Sequence, residues 1–199
     1  MQDLRITLFQ PELLWEDPIG NLARFDEKLR DYRGMQDLIL LPEMFNTGFS
    51  VEPESIAEPP GGPTMLWLSR KAKELNCVIS GTLIIREGVN FYNRLVWMRP
   101  DGNVDTYDKR HLFRMAGEHL QFRGGNRKHI VELNGWRICP LVCYDLRFPV
   151  WVNNRHMALA GIFCELSKDE ARIFPLSVMH ICDGPRKLSN LEHRGVQDG

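Results

Sequence analysis

The chain has 199 residues, of which 43% are hydrophobic and 26% are charged. Those values are typical of one globular domain that is large enough to bury a sizeable core. The net charge of −1 gives no electrostatic reason to expect binding to nucleic acid or to an anionic membrane. No segment approaches the roughly 20 apolar residues that a membrane span requires.

The cysteines and the N-terminus indicate a reducing compartment. The five cysteines are an odd number and include no CxxC pair, so neither a disulfide framework nor a zinc site is indicated. The first residues, with Asp3 and Arg5 at a predicted strand, lack the apolar core of a signal peptide. We therefore expect a cytoplasmic protein.

The first part of the chain alternates strands and helices. A strand is predicted over residues 5–9, and a second over residues 38–41. Between them, Asp17 and Pro18 begin a helix, as N-cap and first helical residue, that we expect to end at Gly34. A second helix is predicted over residues 63–75. The apolar positions expected to face the core are Leu22, Phe25, Leu29 and Tyr32 in the first helix, and Leu66, Leu68, Ala72 and Leu75 in the second.

The pattern of residues 77–143 predicts hairpins. Strands over residues 77–86 and 91–99 are joined by a short segment that contains Gly88, which is a hairpin signal. A third strand precedes Lys109, and Asn134-Gly135 joins residues 130–133 to the strand that ends near Cys143. Strand–helix alternation followed by hairpins predicts an α/β fold, with a mixed sheet and helices on one face.

Cys143 is the candidate nucleophile. An apolar run ends at this thiol and then turns polar, and Phe148-Pro149 follows closely. This pattern predicts a buried strand with the thiol where the strand meets a loop, which is where catalytic groups gather in α/β folds. Taken alone, the alternative is a core cysteine, because cysteine is among the residues most often buried.

Three other ionisable residues lie in comparable positions. Glu43 follows a predicted apolar strand, Lys109 follows a short predicted strand that runs into a basic cluster, and Glu118 lies nine residues beyond Lys109. A carboxylate base, a thiol nucleophile and an ammonium that stabilises thiolate and oxyanion form a recognised nucleophile set. Singly, Glu43 could be a surface acid and Lys109 part of a solvated charge run. Together with Cys143 they predict a catalytic site.

The motifs around these residues resemble those of the carbon–nitrogen hydrolase (nitrilase) superfamily, and within it the omega-amidase branch. They are Leu41-Pro42-Glu43-Met44-Phe45, Tyr107-Asp108-Lys109-Arg110-His111-Leu112-Phe113 and Cys143-Tyr144-Asp145-Leu146-Arg147-Phe148-Pro149. The chain order Glu, Lys, Cys is the family's, and the spacings here are 66 residues from Glu43 to Lys109 and 34 from Lys109 to Cys143. The match covers roughly residues 1–155.

The resemblance implies an α-β-β-α sandwich and an amidohydrolase that needs no cofactor. Glu43 would serve as base and Cys143 as nucleophile, while Lys109 and the backbone N–H of Tyr144 would stabilise the oxyanion. Glu118 would position Lys109 or the substrate. The implied substrates are small monoamides of dicarboxylates, such as 2-oxoglutaramate or 2-oxosuccinamate, and the implied partner is a second copy in a homodimer.

The family pattern is lost at about residue 157. We therefore expect a carbon–nitrogen hydrolase domain over residues 1–156 and a divergent or frameshifted tail over residues 157–199. The end of the tail is polar with few periodic apolar residues, which predicts loop or disorder. The sandwich would then be incomplete at the C-terminus, and the competing hypothesis is an inactive truncated paralogue or fragment.

The remaining candidates allow more than one interpretation. Arg147 could anchor a substrate carboxylate, because guanidinium suits bidentate recognition, or it could pair with Asp145. Three histidines lie close together in the sequence, but their spacing is not that of metal ligands, so no metal site is predicted. Two glycine pairs lack the signature of phosphate loops and are predicted to be turns. The histidines are His111, His119 and His129, and the glycine pairs are Gly61-Gly62 and Gly124-Gly125.

Overall fold

The computed structural model describes residues 3–152, 160–161, 177–183 and 191–192. The predicted boundary at residue 156 and most of the predicted tail over residues 157–199 lie outside the described residues. The division of the chain into these two parts therefore stays a prediction.

Six strands form the first sheet, in the order β10-β1-β2-β3-β4-β5. The pairs among β10, β1, β2 and β3 are parallel, whereas β3, β4 and β5 pair antiparallel through hairpins. The predicted strands of this sheet are all present, with small changes at their ends. Their bounds are Ile6–Leu8 (β1), Leu38–Leu40 (β2), Val78–Glu87 (β3), Asn90–Met98 (β4), Val104–Asp108 (β5) and Leu191–Glu192 (β10).

The second sheet has four strands in the order β6-β7-β9-β8, all antiparallel. β6 and β7 are joined by Asn134-Gly135, where both residues have positive φ, as a tight hairpin turn requires. β7 ends one residue before Cys143. The bounds are Val131–Leu133 (β6), Trp136–Val142 (β7), Ala160–Gly161 (β8) and Ser177–Asp183 (β9).

Two longer helices and two short ones accompany the sheets: Pro18–Lys28 (α1), Pro63–Leu75 (α2), Glu118–Gln121 (α3) and Pro149–Val152 (α4). Asp17 caps α1 as predicted, because its carboxylate accepts the N–H of Gly20 at 2.9 Å. The predicted end of α1 at Gly34 was wrong. The helix ends at Lys28, and tight turns then carry Tyr32 into edge-to-face contact with Phe9.

The larger helices cover one face of the first sheet. Phe25 of α1 and Leu68, Ala72 and Leu75 of α2 are buried against strands β2, β3 and β4. Leu66 was wrongly predicted to join them, and its side chain is 65% exposed. Helical geometry explains the error, because Leu66 lies on the opposite side of α2 from Leu68.

A second apolar core lies between the two sheets. Leu38, Leu95 and Trp97 of the first sheet pack there with Trp136 and Ile138 of the second. The described elements therefore stack as a helical layer followed by two sheets, which confirms the α/β fold class. None of the helices in the described part of the chain is long and apolar enough to cross a bilayer.

Candidate active site

Glu43 lies just beyond β2, in a segment that folds back against β3. Its side chain is fully buried. The next residue, Met44, has φ of +48°, a conformation that a residue with a side chain seldom adopts. The Met44 N–H donates to the hydroxyl of Thr82 at 2.7 Å, which holds this turn in place. The backbone beyond the strand thus directs Glu43 into the interior, and not to the surface.

Lys109 follows β5 and is also buried. Its N–H donates to the carbonyl of Asn93 at 2.9 Å, and its carbonyl accepts the N–H of Gly125 at 3.0 Å. The prediction that Gly124-Gly125 forms a turn was wrong. These residues run alongside the Lys109 segment, and a Cβ on Gly125 would lie 2.2 Å from the carbonyl oxygen of Asp108. Close approach of two backbones explains this glycine pair.

Glu118 begins the short helix α3 and is fully buried. One of its oxygens, Oε2, accepts the N–H of Phe113 and lies 2.9 Å from Lys109 Nζ. Lys109 Nζ lies 2.7 Å from Glu43 Oε1. The structure therefore brings together three of the four residues predicted to be catalytic, from sequence positions up to 75 residues apart.

Asn93 completes this cluster, and sequence reasoning missed it. Its side chain is fully buried in the middle of β4, and its Nδ2 donates to Glu43 Oε1 at 2.7 Å and to Glu118 Oε1 at 2.9 Å. The available signal was a polar amide within a strand that becomes strongly apolar two residues later, because a buried amide needs hydrogen-bond partners. Glu43, Asn93, Lys109 and Glu118 are called the acid–lysine cluster below.

The two carboxylates of the acid–lysine cluster are not equivalent. Both oxygens of Glu118 accept hydrogen bonds, from Asn93, Lys109 and the N–H of Phe113. In Glu43 only Oε1 does so, whereas Oε2 is buried and has no hydrogen-bond partner among the described residues. The vacant lone pairs of the cluster's carboxylates are therefore on Glu43 Oε2.

Electrostatics reinforces that difference. Burial raises the pKa of Glu43 above its ordinary value of 4.5, and although Lys109 opposes this rise, the charge of Glu118 adds to it. For Lys109, burial alone would lower the pKa, but the ion pairs with Glu43 and Glu118 outweigh it, so the pKa rises. Lys109 is thus held as an ammonium, while Glu43 has an increased affinity for a proton.

Cys143 stands at the start of a 3₁₀ turn, Cys143–Arg147, that follows β7 directly. Its φ is +41°, an uncommon conformation for a residue other than glycine. Strained backbone of this kind is often found at functional sites. Among the cysteines whose side chains the structure describes, Cys143 is half-buried, whereas Cys77 and Cys139 are buried in the core. Burial raises the pKa of Cys77 to about 12, which makes that thiol unreactive.

Asp145 ties this turn to the Lys109 segment. Its buried carboxylate accepts the hydroxyl of Tyr107 at 2.7 Å, the N–H of His111 at 2.9 Å and the N–H of Val142 at 3.2 Å. Tyr107 and His111 each lie two residues from Lys109. Because the hydrogen bonds of Asp145 reach both sides of Lys109, they fix the turn that carries Cys143 to the segment that carries the ammonium.

Arg147 does not pair with Asp145 in the described part of the chain. Asp145 Oδ1 instead lies 2.8 Å from His111 Nδ1, within hydrogen-bond distance. The side chain of Arg147 is exposed. Of the two interpretations of this arginine, pairing with Asp145 therefore has no support, and the role in substrate binding stays a prediction.

A cleft of about 530 Å³ opens beside the Cys143 turn. The ring of Tyr144 forms part of its wall and makes edge-to-face contacts with Phe113 and Phe148. The lining is basic and aromatic, and includes Arg110, His111, Arg114, His119, Tyr144 and Phe148. We call it the basic cleft. None of the residues that line it is acidic.

His111 and His129 make contacts in different places. Across the described ranges, no group of three or more His, Cys, Asp or Glu side chains is arranged to hold a metal ion. His111 is stacked on Phe148, with ring centroids 3.7 Å apart, and binds Asp145. His129 lies near Asp105 instead.

Comparison with known proteins agrees with the geometry. Residues 5–164 match the carbon-nitrogen hydrolase family. An omega-amidase YafV of Escherichia coli is 47% identical over 156 residues, covering 77% of this chain and 59% of that protein. A 2-oxoglutaramate amidase of Bacillus subtilis is 27% identical, covering 74% of this chain and 58% of that protein.

A solved structure gives the same result. A carbon–nitrogen hydrolase superfamily protein of Xanthomonas campestris, whose active site carries an arsenic adduct, superposes with a TM-score of 0.76 and 46% identity. The alignment covers 78% of this chain and 58% of that one. The chain thus spans a little under three fifths of the length of these relatives. Sequence and fold agree that the chain belongs to the carbon–nitrogen hydrolase family.

Proposed function

We propose that this protein hydrolyses the terminal amide of small dicarboxylate monoamides through a cysteine thioester, and releases ammonia. The observation that carries the proposal is the acid–lysine cluster, which is buried and whose Lys109 lies in the segment to which Asp145 binds the Cys143 turn. A base, an ammonium and a thiol held in this way form the set that nucleophilic acyl transfer requires.

The first half-reaction forms the thioester. Glu43 Oε2, which has vacant lone pairs and an increased proton affinity, accepts the proton of the Cys143 thiol. Sγ attacks the amide carbon and gives a tetrahedral intermediate. When this intermediate collapses, the C–N bond breaks, and Glu43 returns the proton to the departing nitrogen, which leaves as ammonia.

The second half-reaction releases the acid. Glu43 removes a proton from water, and the resulting hydroxide attacks the thioester carbon. The C–S bond breaks, the carboxylic acid product leaves, and the proton on Glu43 returns to the thiolate of Cys143. The same oxygen therefore acts as base in both halves, and the enzyme is regenerated without a cofactor.

Lys109 and the backbone N–H of Tyr144 stabilise the oxyanion in both halves. The ammonium is fixed before the substrate arrives, because its Nζ lies within 3 Å of both Glu43 and Glu118. Preorganised charge in a buried site lowers the barrier strongly, because little reorganisation is needed at the moment of reaction. Glu118 takes no proton in this scheme, since its lone pairs are occupied, and it holds Lys109 in position.

The substrate class follows from the relatives and from the basic cleft. Similar proteins include an omega-amidase and a 2-oxoglutaramate amidase. A cleft with arginine and histidine side chains and no acidic residue in its lining favours the carboxylate end of a substrate such as 2-oxoglutaramate or 2-oxosuccinamate. The exposed Arg147 guanidinium adds a further cation for that carboxylate. The proposed partners are this small amide and a second copy of the chain.

The competing hypothesis, an inactive truncated paralogue or fragment, is not favoured by the similarity to omega-amidases. The chain covers 59% of the omega-amidase that it resembles, so a relative's activity does not transfer by similarity alone. The two candidates have the same site, but only the amidohydrolase would turn over substrate.

Ammonia release from 2-oxoglutaramate by the purified chain separates the two candidates. We expect steady release that is lost in Cys143→Ala, and intact-mass measurement after acid quenching should show an acyl adduct on Cys143. A cooperatively folded chain that gives neither ammonia nor adduct with either oxo-monoamide would overturn the proposal and leave the inactive fragment.

A further inference from the structure

Asn93 contacts every ionisable member of the acid–lysine cluster. Its Nδ2 lies 2.7 Å from Glu43 Oε1 and 2.9 Å from Glu118 Oε1, and its backbone carbonyl accepts the N–H of Lys109. The side chain is fully buried. Antiparallel pairing places Asn93 opposite Ile84 on β3, so the long pairing of β3 with β4 fixes its position.

The orientation of the amide is determined by its neighbours. A flipped side chain would direct Oδ1 at two carboxylate oxygens, where no hydrogen could lie between them. With Nδ2 toward the carboxylates, one N–H is available for each. Oδ1 then points away and has no hydrogen-bond partner among the described residues. A buried carbonyl oxygen without a partner carries a cost, which the contacts on the Nδ2 side offset.

We propose that Asn93 is a positioning residue that selects Glu43 as the base of the reaction. Its amide occupies Oε1 of both carboxylates. Because Glu118 Oε2 is occupied by Lys109 and by the N–H of Phe113, only Glu43 Oε2 is left to receive a proton. This inference rests on the proposed function, and adds to it the group that decides which of two neighbouring carboxylates takes the proton.

The amide also makes two neighbouring negative charges tolerable. One ammonium serves both carboxylates, and the charge of Glu118 makes ionisation of Glu43 harder. Two N–H groups directed at the carboxylates lower this repulsion, because a hydrogen bond to a charged oxygen favours its ionised form. Loss of the amide should therefore shift the ionisation of Glu43 to higher pH.

The test is the pH dependence of Cys143 alkylation by iodoacetamide, followed by peptide mass spectrometry. This readout needs no turnover, so it remains informative even if the amidase proposal fails. Alkylation accelerates as Glu43 ionises and accepts the thiol proton. In Asn93→Ala we expect this rise to move to higher pH by about one unit, which corresponds to the loss of one hydrogen bond to a charged group.

Asn21→Ala is the matched control. Asn21 is also fully buried, but its amide bonds the backbone of Leu14 and Asn46, and not a carboxylate. We expect this variant to lose thermal stability and to keep the wild-type pH profile. If Asn93→Ala also keeps that profile, or if both variants shift alike, Asn93 is only a structural residue and the proposal fails.

Asn93→Asp provides a second test with nearly the same side-chain shape. A third carboxylate in the cluster should move the profile further upward than Asn93→Ala does, or abolish alkylation below neutral pH. This variant remains decisive if Asn93→Ala fails to fold. If the alkylation rate of Asn93→Asp rose at the same pH as in the wild-type protein, or at a lower pH, the proposed role of the amide would be contradicted.

Discussion

The acid–lysine cluster and the Cys143 turn are held in different ways. The cluster is fully buried and consists of opposite charges in direct contact, with Lys109 between Glu43 and Glu118. The turn is only half-buried at its first residue, has a strained backbone at Cys143, and is fixed to the rest of the site through Asp145.

The two regions therefore have different tasks in the proposed reaction. Buried charges cannot move far without losing their partners, so the cluster is preorganised before any substrate binds. Cys143, the proposed nucleophile, is instead only half-buried, and the next residue along its turn, Tyr144, lines the basic cleft. Asp145 thus holds the turn of the proposed nucleophile, whereas Asn93 and Lys109 hold the proposed base by direct hydrogen bonds.

The largest expected effect comes from removing the nucleophile. Cys143→Ala should lower kcat for 2-oxoglutaramate by about 10⁴-fold or more, because the reaction has no thioester path without the thiol. Ammonia release is the measurement. Cys77→Ala removes a buried thiol elsewhere and should keep most of the activity. Full activity in Cys143→Ala would show that the turn does not supply the nucleophile.

Weakening the Asp145 contacts between the Cys143 turn and the Lys109 segment should lower activity less than removing the nucleophile. Asp145→Asn replaces one carboxylate oxygen by an NH₂ group, which cannot accept a hydrogen bond. The variant therefore loses the contact either with the N–H of His111 or with the hydroxyl of Tyr107. We expect kcat/KM to fall by about 10²-fold, because a small misplacement of a reacting group has effects of that size. The control is Asp101→Asn, in an exposed turn. If Asp145→Asn and Asp101→Asn were equally active, the anchoring role would be wrong.

A substitution at the exposed side of the site, at Arg147, should lower activity less than Asp145→Asn does. Arg147→Gln removes a guanidinium that we propose to bind the substrate carboxylate. We expect KM for 2-oxoglutaramate to rise about tenfold with little change in kcat, because this contact is made equally in the ground state and transition state. Arg33→Gln, another exposed arginine, is the control. An unchanged KM in Arg147→Gln would exclude this anchor.

The smallest effect is on stability. Because burial raises the pKa of Glu43, the folded state binds a proton more tightly than the unfolded state. Stability therefore falls as pH rises from the ordinary value of 4.5 through the raised value. Glu43→Gln removes this loss and should raise the free energy of unfolding at neutral pH by about 0.5–2 kcal/mol, with no gain below pH 4.5. Urea denaturation at several pH values measures it, and a gain at acid pH alone would contradict the sign.

The sequence predicted the parts of the site that local pattern determines. Glu43 and Cys143 each follow an apolar strand, and Lys109 follows a short strand that leads into a basic cluster, so these strand ends can be recognised from neighbouring residues alone. Most helices and strands were predicted for the same reason. The prediction placed Leu66 on the buried face of α2, whereas helical geometry places it on the exposed face.

Other parts depend on pairing between distant segments. Asn93 contacts Glu43 and Glu118 because the register of β4 places it there, and no local pattern specifies that register. The close approach of Gly125 to Asp108 is likewise a property of two segments. The neighbours of a residue across a sheet are thus the information that a single sequence lacks.

The central claim is that Glu43, and not Glu118, is the base, and the pH profile of Cys143 alkylation tests it most directly. The two variants to compare are Glu43→Gln and Glu118→Gln. We expect Glu43→Gln to lose the rise in rate that accompanies ionisation of Glu43. In Glu118→Gln the rise should persist and move to lower pH, because removing the neighbouring charge eases ionisation of Glu43. Loss of the rise in Glu118→Gln, with its retention in Glu43→Gln, would contradict the account.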